Sequence, residues 1–476
     1  MTVQAQADQP DTWEVHRRSI LTVAILVVLC MALVALPTPS GLSREGHRVL
    51  AVIVLAIGLW FTEALPMGVT GLVVVIALVV SGGVAGFREA LVGFAQPVAY
   101  FLIGVLTIGL AVLQSGLAER VARFFLRQCR GRSRALYLQL LLAFPLLTLI
   151  LPSATTRTGI LIHVYDQALT LSGVSRGAPL SRAIMMALNS INRLASTVLL
   201  TGGITPIVSA SLIGGISWSR WFVLMSVPYG VLLAVGAGLI YLLYRRGFAM
   251  PLPETPTTER KPFSQAEIRT ALITIGASLL WLTDALHHWH PALPALLAWV
   301  CLLAPGIGVL TWRDFERSFA WSSFFVLASS MSLAHALMQS GASQWLAALI
   351  INAIPALQHH PVVVVLVLLL AAAPVRLLIP NITGFLATAI PIAMSIGTTV
   401  GLNPVICGLA VMIAGDAVLY YPAQSASSLV VYERGHLTAM EIFRFGLWMT
   451  VVAFLVVLVV ALPYWALVGE PLMVSQ

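Results

Sequence analysis

Charge is scarce in this chain: Asp, Glu, Lys and Arg together make up 9% of 476 residues, against 59% hydrophobic. A water-soluble domain carries roughly a quarter charged residues, so that class is excluded. Mean hydropathy is +0.96, and many apolar runs are long enough for the ~30 Å hydrocarbon core of a bilayer. Cysteine is scarce too. Cys30, Cys129, Cys301 and Cys407 are scattered without a paired or metal-like spacing, which argues against a disulfide framework or a thiolate metal centre. With no HExxH and no Walker-type glycine loop, a zinc hydrolase or an ATP-driven pump lacks its minimum parts. The formal charge of +8 comes from arginines gathered between apolar runs, where they set membrane orientation. No nucleic-acid partner is expected.

What remains is an all-α polytopic membrane protein of about 11 transmembrane helices. Residues 1–46 read as a polar tail followed by Arg17-Arg18 and an uncleaved first helix, with a cytoplasmic N-terminus. Residues 47–243 form a first repeat, 244–269 a Pro-rich, charged cytoplasmic linker, 270–467 a second repeat and 468–476 a short tail. Order recurs across the linker. Gln114-Ser115-Gly116 is echoed by Gln339-Ser340-Gly341, and each echo precedes a surface segment, Ala118–Arg134 or Trp345–Ala356. An interrupted apolar run follows in both halves, broken at Pro152-Ser153-Ala154-Thr155 and at Pro380-Asn381-Ile382-Thr383. Apolar arms of only about ten residues at ~1.5 Å rise cannot comfortably span, so each run is expected to be a re-entrant hairpin with a polar tip. Each half then holds a broken helix, interrupted at Thr201–Pro206 and around Tyr420–Ser425. Five crossings per half invert the second repeat relative to the first. The basic first surface segment and the second, which has no lysine or arginine, fit that inversion.

Two polar tips facing two broken helices are the physical requirements for a midplane binding site, where half-helix N-termini attract anions and unwound carbonyls hold monovalent cations. Ser153, Thr155, Thr156, Asn381 and Thr383 supply neutral donors and acceptors there, and helix capping at a break would use the same side chains. Charges at depth are a sharper signal, since each costs at least ~2.5 kcal/mol at a helix centre unless paired or hydrated. Arg157, Arg193 and Arg376 are three such cations, and guanidinium suits carboxylate, sulfate or phosphate oxygens. The competing account is structural ion pairing, with Asp166 or Asp416 as partner. His287, His288 and His290 have a metal-compatible spacing but read as an exposed interfacial loop.

Several passages carry a family resemblance: Thr62-Glu63-Ala64-Leu65-Pro66, Trp312-Arg313-Asp314 through Trp321 to Gln339-Ser340-Gly341, Asn381 to Pro391 with Gly401-Leu402-Asn403-Pro404, and Pro422-Ala423-Gln424-Ser425 through Gly435. In these the chain resembles the divalent anion/sodium symporter family of the ion transporter superfamily. The resemblance implies a homodimer and an elevator-type secondary transporter of a small anion, a dicarboxylate, sulfate or other oxyanion. Its substrate oxygens would meet the tips and the facing broken helices, including Gln424 and Ser425, with sodium near Ser153, Asn381 and Asp416. A bacterial inner membrane is the expected location. This sequence departs from the family where Ser-Ile-Gly-Gly usually stands: it has Ser190-Ile191-Asn192-Arg193, a fixed cation near the expected sodium. An anion exchanger without sodium is therefore an open alternative. A cation/proton antiporter or arsenite-type extruder on the same fold is another, and Asp416 would be its deep acid.

Overall fold

The computed structural model describes residues 12–127, 132–151, 153–249, 262–353 and 360–473. Of the positions singled out above, Cys129, Pro152, Ala356 and residues 250–261 of the linker lie outside them. The regular structure of the described residues is helical, apart from one isolated antiparallel bridge between Leu402 and Met473, and eight helices are long and apolar enough to cross a membrane. The remaining spans of the expected eleven correspond to shorter apolar helices, or to helices broken partway.

In chain order, α1 is Thr12–Ala35, α2 Arg44–Thr62, α3 Met67–Val80 and α4 Pro97–Gln114. Helix α5, Leu117–Arg127, is the amphipathic surface segment. Then come α6, Ser133–Ile150, and α7, Ala154–Leu171, the arms of the first interrupted run. The first broken helix follows: α8, Pro179–Met186, passes through a π-helical turn into α9, Asn192–Thr197, and resumes as α10, Ile204–Ile213. Helix α11, Trp218–Leu243, closes the half.

The second half repeats that order. It runs α12 Gln265–Leu282, α13 Ala292–Leu303, α14 Trp312–Ser318, α15 Trp321–Gln339 and α16 Ala342–Ala353. The second interrupted run is α17, Pro361–Leu378, and α18, Ile382–Thr399. The second broken helix is α19, Pro404–Asp416, resuming as α20, Ala426–Tyr432, before the last long helix α21, Ala439–Leu455.

Local chemistry explains the punctuation. Ser153 and Asn381 cap α7 and α18, accepting from the backbone N–H of Thr156 and Thr383, which satisfies one orphan donor at each break. The repeated Gln-Ser-Gly is a helix stop: Gly116 (φ +83) and Gly341 (φ +75) adopt the left-handed conformation that glycine reaches without a Cβ penalty. One expectation is corrected. All four arms of the interrupted runs are 18 residues long, about 27 Å at helical rise, and not about ten. Helicity continues beyond the apolar stretch: α6 starts at Ser133 and takes in the polar Arg134 and Gln139.

The chain divides into two compact units, and neither is a sequence half. One comprises residues 1–94 with 321–345, the other residues 95–320 with 346–476. In the first, α15 lies against α3, and Gly93 donates its N–H to Ser332 Oγ at 3.0 Å. A Cβ at Gly93 would stand 2.0 Å from the Ala328 carbonyl oxygen, so no other residue fits. The second unit holds both interrupted runs and both broken helices, and so contains every candidate site residue.

Candidate functional site

Each break exposes backbone carbonyls at the end of its first arm, and a buried guanidinium takes them. The Arg157 side chain is fully buried. Its Nη1 donates to Leu151 O at 2.5 Å, its Nε to Asn192 Oδ1 at 3.0 Å, and its Nη2 to Asn192 O and Ser196 Oγ. Asn192 returns the contact, donating from Nδ2 to Thr158 Oγ1 at 2.8 Å and to Ala154 O at 3.2 Å. The first tip is thereby pinned to the first broken helix.

Arg376 does the equivalent work at the second tip from a different place in the sequence. Its Nη1 donates to Ile379 O at 2.6 Å and Pro380 O at 2.8 Å, and its Nε to Gly415 O at 3.1 Å, at the end of α19. Gln424 braces this arrangement, donating from Nε2 to Arg376 O at 2.9 Å while its Oε1 accepts from Tyr420 N at 2.7 Å. Two donors stay buried without a partner, Arg376 Nη2 and Asn381 Nδ2. Buried unpaired donors of this kind cost about 1–3 kcal/mol each, which a ligand oxygen would relieve.

The third arginine is paired. Arg193 Nη1 donates to Asp416 Oδ1 at 2.8 Å and Nη2 to Val418 O at 3.3 Å, while Nε has no partner. Asp416 is completely buried and also accepts from Thr205 Oγ1 at 3.0 Å, Thr197 Oγ1 at 2.7 Å and Tyr229 Oη at 2.9 Å. Its position demands this. A carboxylate ending a helix meets the negative end of the macrodipole, and burial removes its water, so it needs both a cation and further donors. The pair joins the two breaks, since Arg193 lies just before one and Asp416 just before the other. The structural ion pair expected as the competing account thus holds for Arg193, whereas Asp166 bonds His436 Nε2 at 2.9 Å instead of an arginine.

A sodium ion needs free oxygen lone pairs. Asp416 has about four lone-pair sites and four donors already on them, so a cation does not fit there. Ser153 Oγ already accepts from Thr156 N and Oγ1, whereas Asn381 Oδ1 accepts from Thr383 N alone and keeps one lone pair. Thr155 at the first tip is exposed, and Ser425 Oγ lies 2.8 Å from Ser427 Oγ.

Several partners were not anticipated from sequence. Tyr229 sits in a long apolar span, and Ser428, whose Oγ donates to Asn189 Oδ1 at 2.5 Å, ties the broken helices together a second time. A lone tyrosine hydroxyl among apolar residues was the available signal, because such a group needs a partner when buried. The histidine loop serves the backbone: His287 Nε2 lies 2.8 Å from Leu280 O, and His290 Nδ1 accepts from Ala292 N. One hydrolase-like spacing does occur, Gly173-Val174-Ser175-Arg176-Gly177. It joins two helices, not the strand and helix of a nucleophile elbow.

Eight helices long and apolar enough to cross a membrane, with two interrupted runs held against two broken helices by buried arginines, give the class: an integral membrane protein. Residues 17–470 match the family described as "Sodium:sulfate symporter transmembrane region", and the chain belongs to that family. It is similar to a membrane protein of Cupriavidus necator, 23% identical over 94% of this chain and 91% of that one. It is also similar to a citrate/succinate antiporter of Escherichia coli K12, 24% identical over 91% of this chain and 95% of that one. Among solved structures, the YdaH transporter of Alcanivorax borkumensis shares the fold, with TM-score 0.52 and 14% identity over 97% of this chain and all of that one.

Proposed function

We propose that the protein is a secondary transporter that exchanges one small oxyanion, a dicarboxylate in the first instance, for another without sodium. The observation that carries the anion reading is that three of the buried groups left unpaired around the breaks, Arg376 Nη2, Asn381 Nδ2 and Arg193 Nε, can only donate, while the fourth, the Ser209 hydroxyl, can donate or accept. Carboxylate oxygens accept from such groups, and arginine donors fit them best. Exchange is favoured because the Arg193–Asp416 pair closes the breaks with a fixed cation and leaves Asp416 no lone pair for a mobile one. The same occupancy counts against a cation/proton antiporter, which needs an acid free to take and release its ion. An antiport partner in the family, the citrate/succinate antiporter, fits this reading. An elevator-type movement, a homodimer and a bacterial inner membrane with the N-terminus in the cytoplasm complete the proposal.

Flux into proteoliposomes tests it. Labelled succinate should enter vesicles preloaded with dicarboxylate and not empty ones, with the same rate in sodium and in potassium. Uptake into empty vesicles driven by a sodium or proton gradient would overturn exchange. An Arg193→Gly carrier should lose this indifference to the cation, and unchanged cation dependence would sink the role given to Arg193.

A further inference from the structure

Arginines from four separate segments converge at one end of the second unit, where α6, α8 and α21 start and α11 stops. The turn Arg245–Ala249 that follows α11 is the hub. Its Phe248 ring centre lies 5.1 Å from that of Tyr137 on α6 and 4.8 Å from that of Tyr241 on α11. A Cβ on Gly247 would stand 2.4 Å from the backbone nitrogen of Leu180, so the turn lies directly on the start of α8. From α8, Arg182 Nη1 reaches Glu441 Oε1 at 3.0 Å in the first turn of α21.

Five more guanidiniums stand on these same segments. Arg134 is one turn before Tyr137, Arg176 precedes the Gly177 that lies beside Arg182, Arg245 and Arg246 are on the turn itself, and Arg444 is one turn after Glu441. All five are exposed, and none of their side chains makes a hydrogen bond or ion pair among the described residues. The acids at this end are already engaged. Glu441 holds Arg182 and caps α21 with Thr438, Glu267 holds Arg120, Glu119 holds Arg123 and Asp166 holds His436. Glu433 is followed by Arg434, and in the linker Glu254 and Glu259 are matched in number by Arg260 and Lys261. Five cations are therefore in excess. Next to them in the chain, Leu242 and Leu243 at the end of α11 and Met440 in the first turn of α21 expose apolar side chains.

We propose that this cluster is a binding site for an anionic phospholipid, its phosphate oxygens on the guanidiniums and its acyl chains along Leu242, Leu243 and Met440. Membrane orientation needs basic loops, but it does not need four segments gathered over one aromatic-packed turn. Basic pockets between helix ends at the membrane surface suit lipid headgroups, and guanidinium suits phosphate. A free phosphate would share that chemistry but would make no use of the exposed apolar side chains beside it. The site goes beyond the carrier reading and does not depend on what is transported.

Native mass spectrometry of the purified full chain tests it, with phosphatidylglycerol and phosphatidylcholine of identical acyl chains titrated in turn. Phosphatidylglycerol should be retained at least about tenfold more tightly, since each arginine near an anionic surface is worth roughly fivefold. Arg245→Gln with Arg246→Gln and Arg444→Gln should remove most of that preference, and lysine at the same three positions should keep it. Arg88→Gln with Arg313→Gln and Arg317→Gln removes as many charges elsewhere and should leave binding nearly unchanged. If the first glutamine triple is not monodisperse, Arg246→Gln and Arg444→Gln alone carry the test, each with a loss of roughly fivefold. Equal retention of the two lipids by the unmodified protein overturns the site, as does an equal loss in both glutamine triples, which would mean diffuse surface charge only. Displacement of the bound lipid by inorganic phosphate at matched concentration would overturn the choice of a lipid as occupant.

Discussion

Removing the charge of Asp416 should loosen the junction of the two broken helices more than any comparable change on the surface. Asp416→Asn leaves Arg193 charged with its side chain only 11% exposed, and breaking a buried pair from one side costs about 3–5 kcal/mol. Arg193→Gln strands the carboxylate with three neutral donors, Thr197, Thr205 and Tyr229, and should cost a similar amount. The double variant removes both charges, so its cost should fall well short of the sum, by up to about 3 kcal/mol for groups in direct contact. Heat unfolding of a carrier this size is irreversible, so the readout is a rate. Purified protein is held at one temperature and the loss of its monodisperse peak is followed by size-exclusion chromatography. If the pair is broken in the unfolding transition state, about 3 kcal/mol corresponds to roughly 10²-fold faster loss in each single variant. Single variants within twofold of the unmodified protein, or a double variant whose rate is the product of the two effects, would refute the role assigned to the pair.

Asn381→Ala removes the cap of α18, costing about 1 kcal/mol, together with the unpaired Nδ2. Substrate affinity in binding assays should fall at least tenfold while the protein stays folded, and an unchanged affinity would remove Asn381 from the site. At the surface, hydrogen bonds from the Thr311 side chain and backbone hold the Asp314 carboxyl below its ordinary range. A depressed value means the cap's contribution is present above the unfolded pKa and lost as pH falls through the folded one. Hydrogen exchange of Trp312–Ser318, corrected for its intrinsic pH dependence, should therefore speed up on acidification, and Asp314→Asn should flatten that response.

Much of the local architecture was legible in the residues. Proline followed by a small polar residue at Ser153 and Asn381 specified where the interrupted runs break, because a cap and a missing N–H act within one turn of the chain. Gln-Ser-Gly marked two helix ends for the same reason. Arm length was misread, since hydropathy reports burial in lipid and helices continue through polar residues.

Of the deep arginines' roles, only ion pairing with Asp416 was anticipated, and the sequence did not say which arginine would make it. Arg157 follows its tip and Arg376 precedes its own, so no alignment of the two halves pairs them, yet both gather the carbonyls that a broken helix leaves over. Arg193 and Asp416 are 223 residues apart. By itself the sequence determined that the chain lives in a membrane, where its helices break and which side chains cap them, because those follow from composition and neighbours along the chain. Which guanidinium holds carbonyls, which holds a carboxylate and which keeps a donor unpaired was decided only by tertiary structure. A buried charge takes whatever partner packing brings within about 3 Å, and sequence separation does not fix that distance.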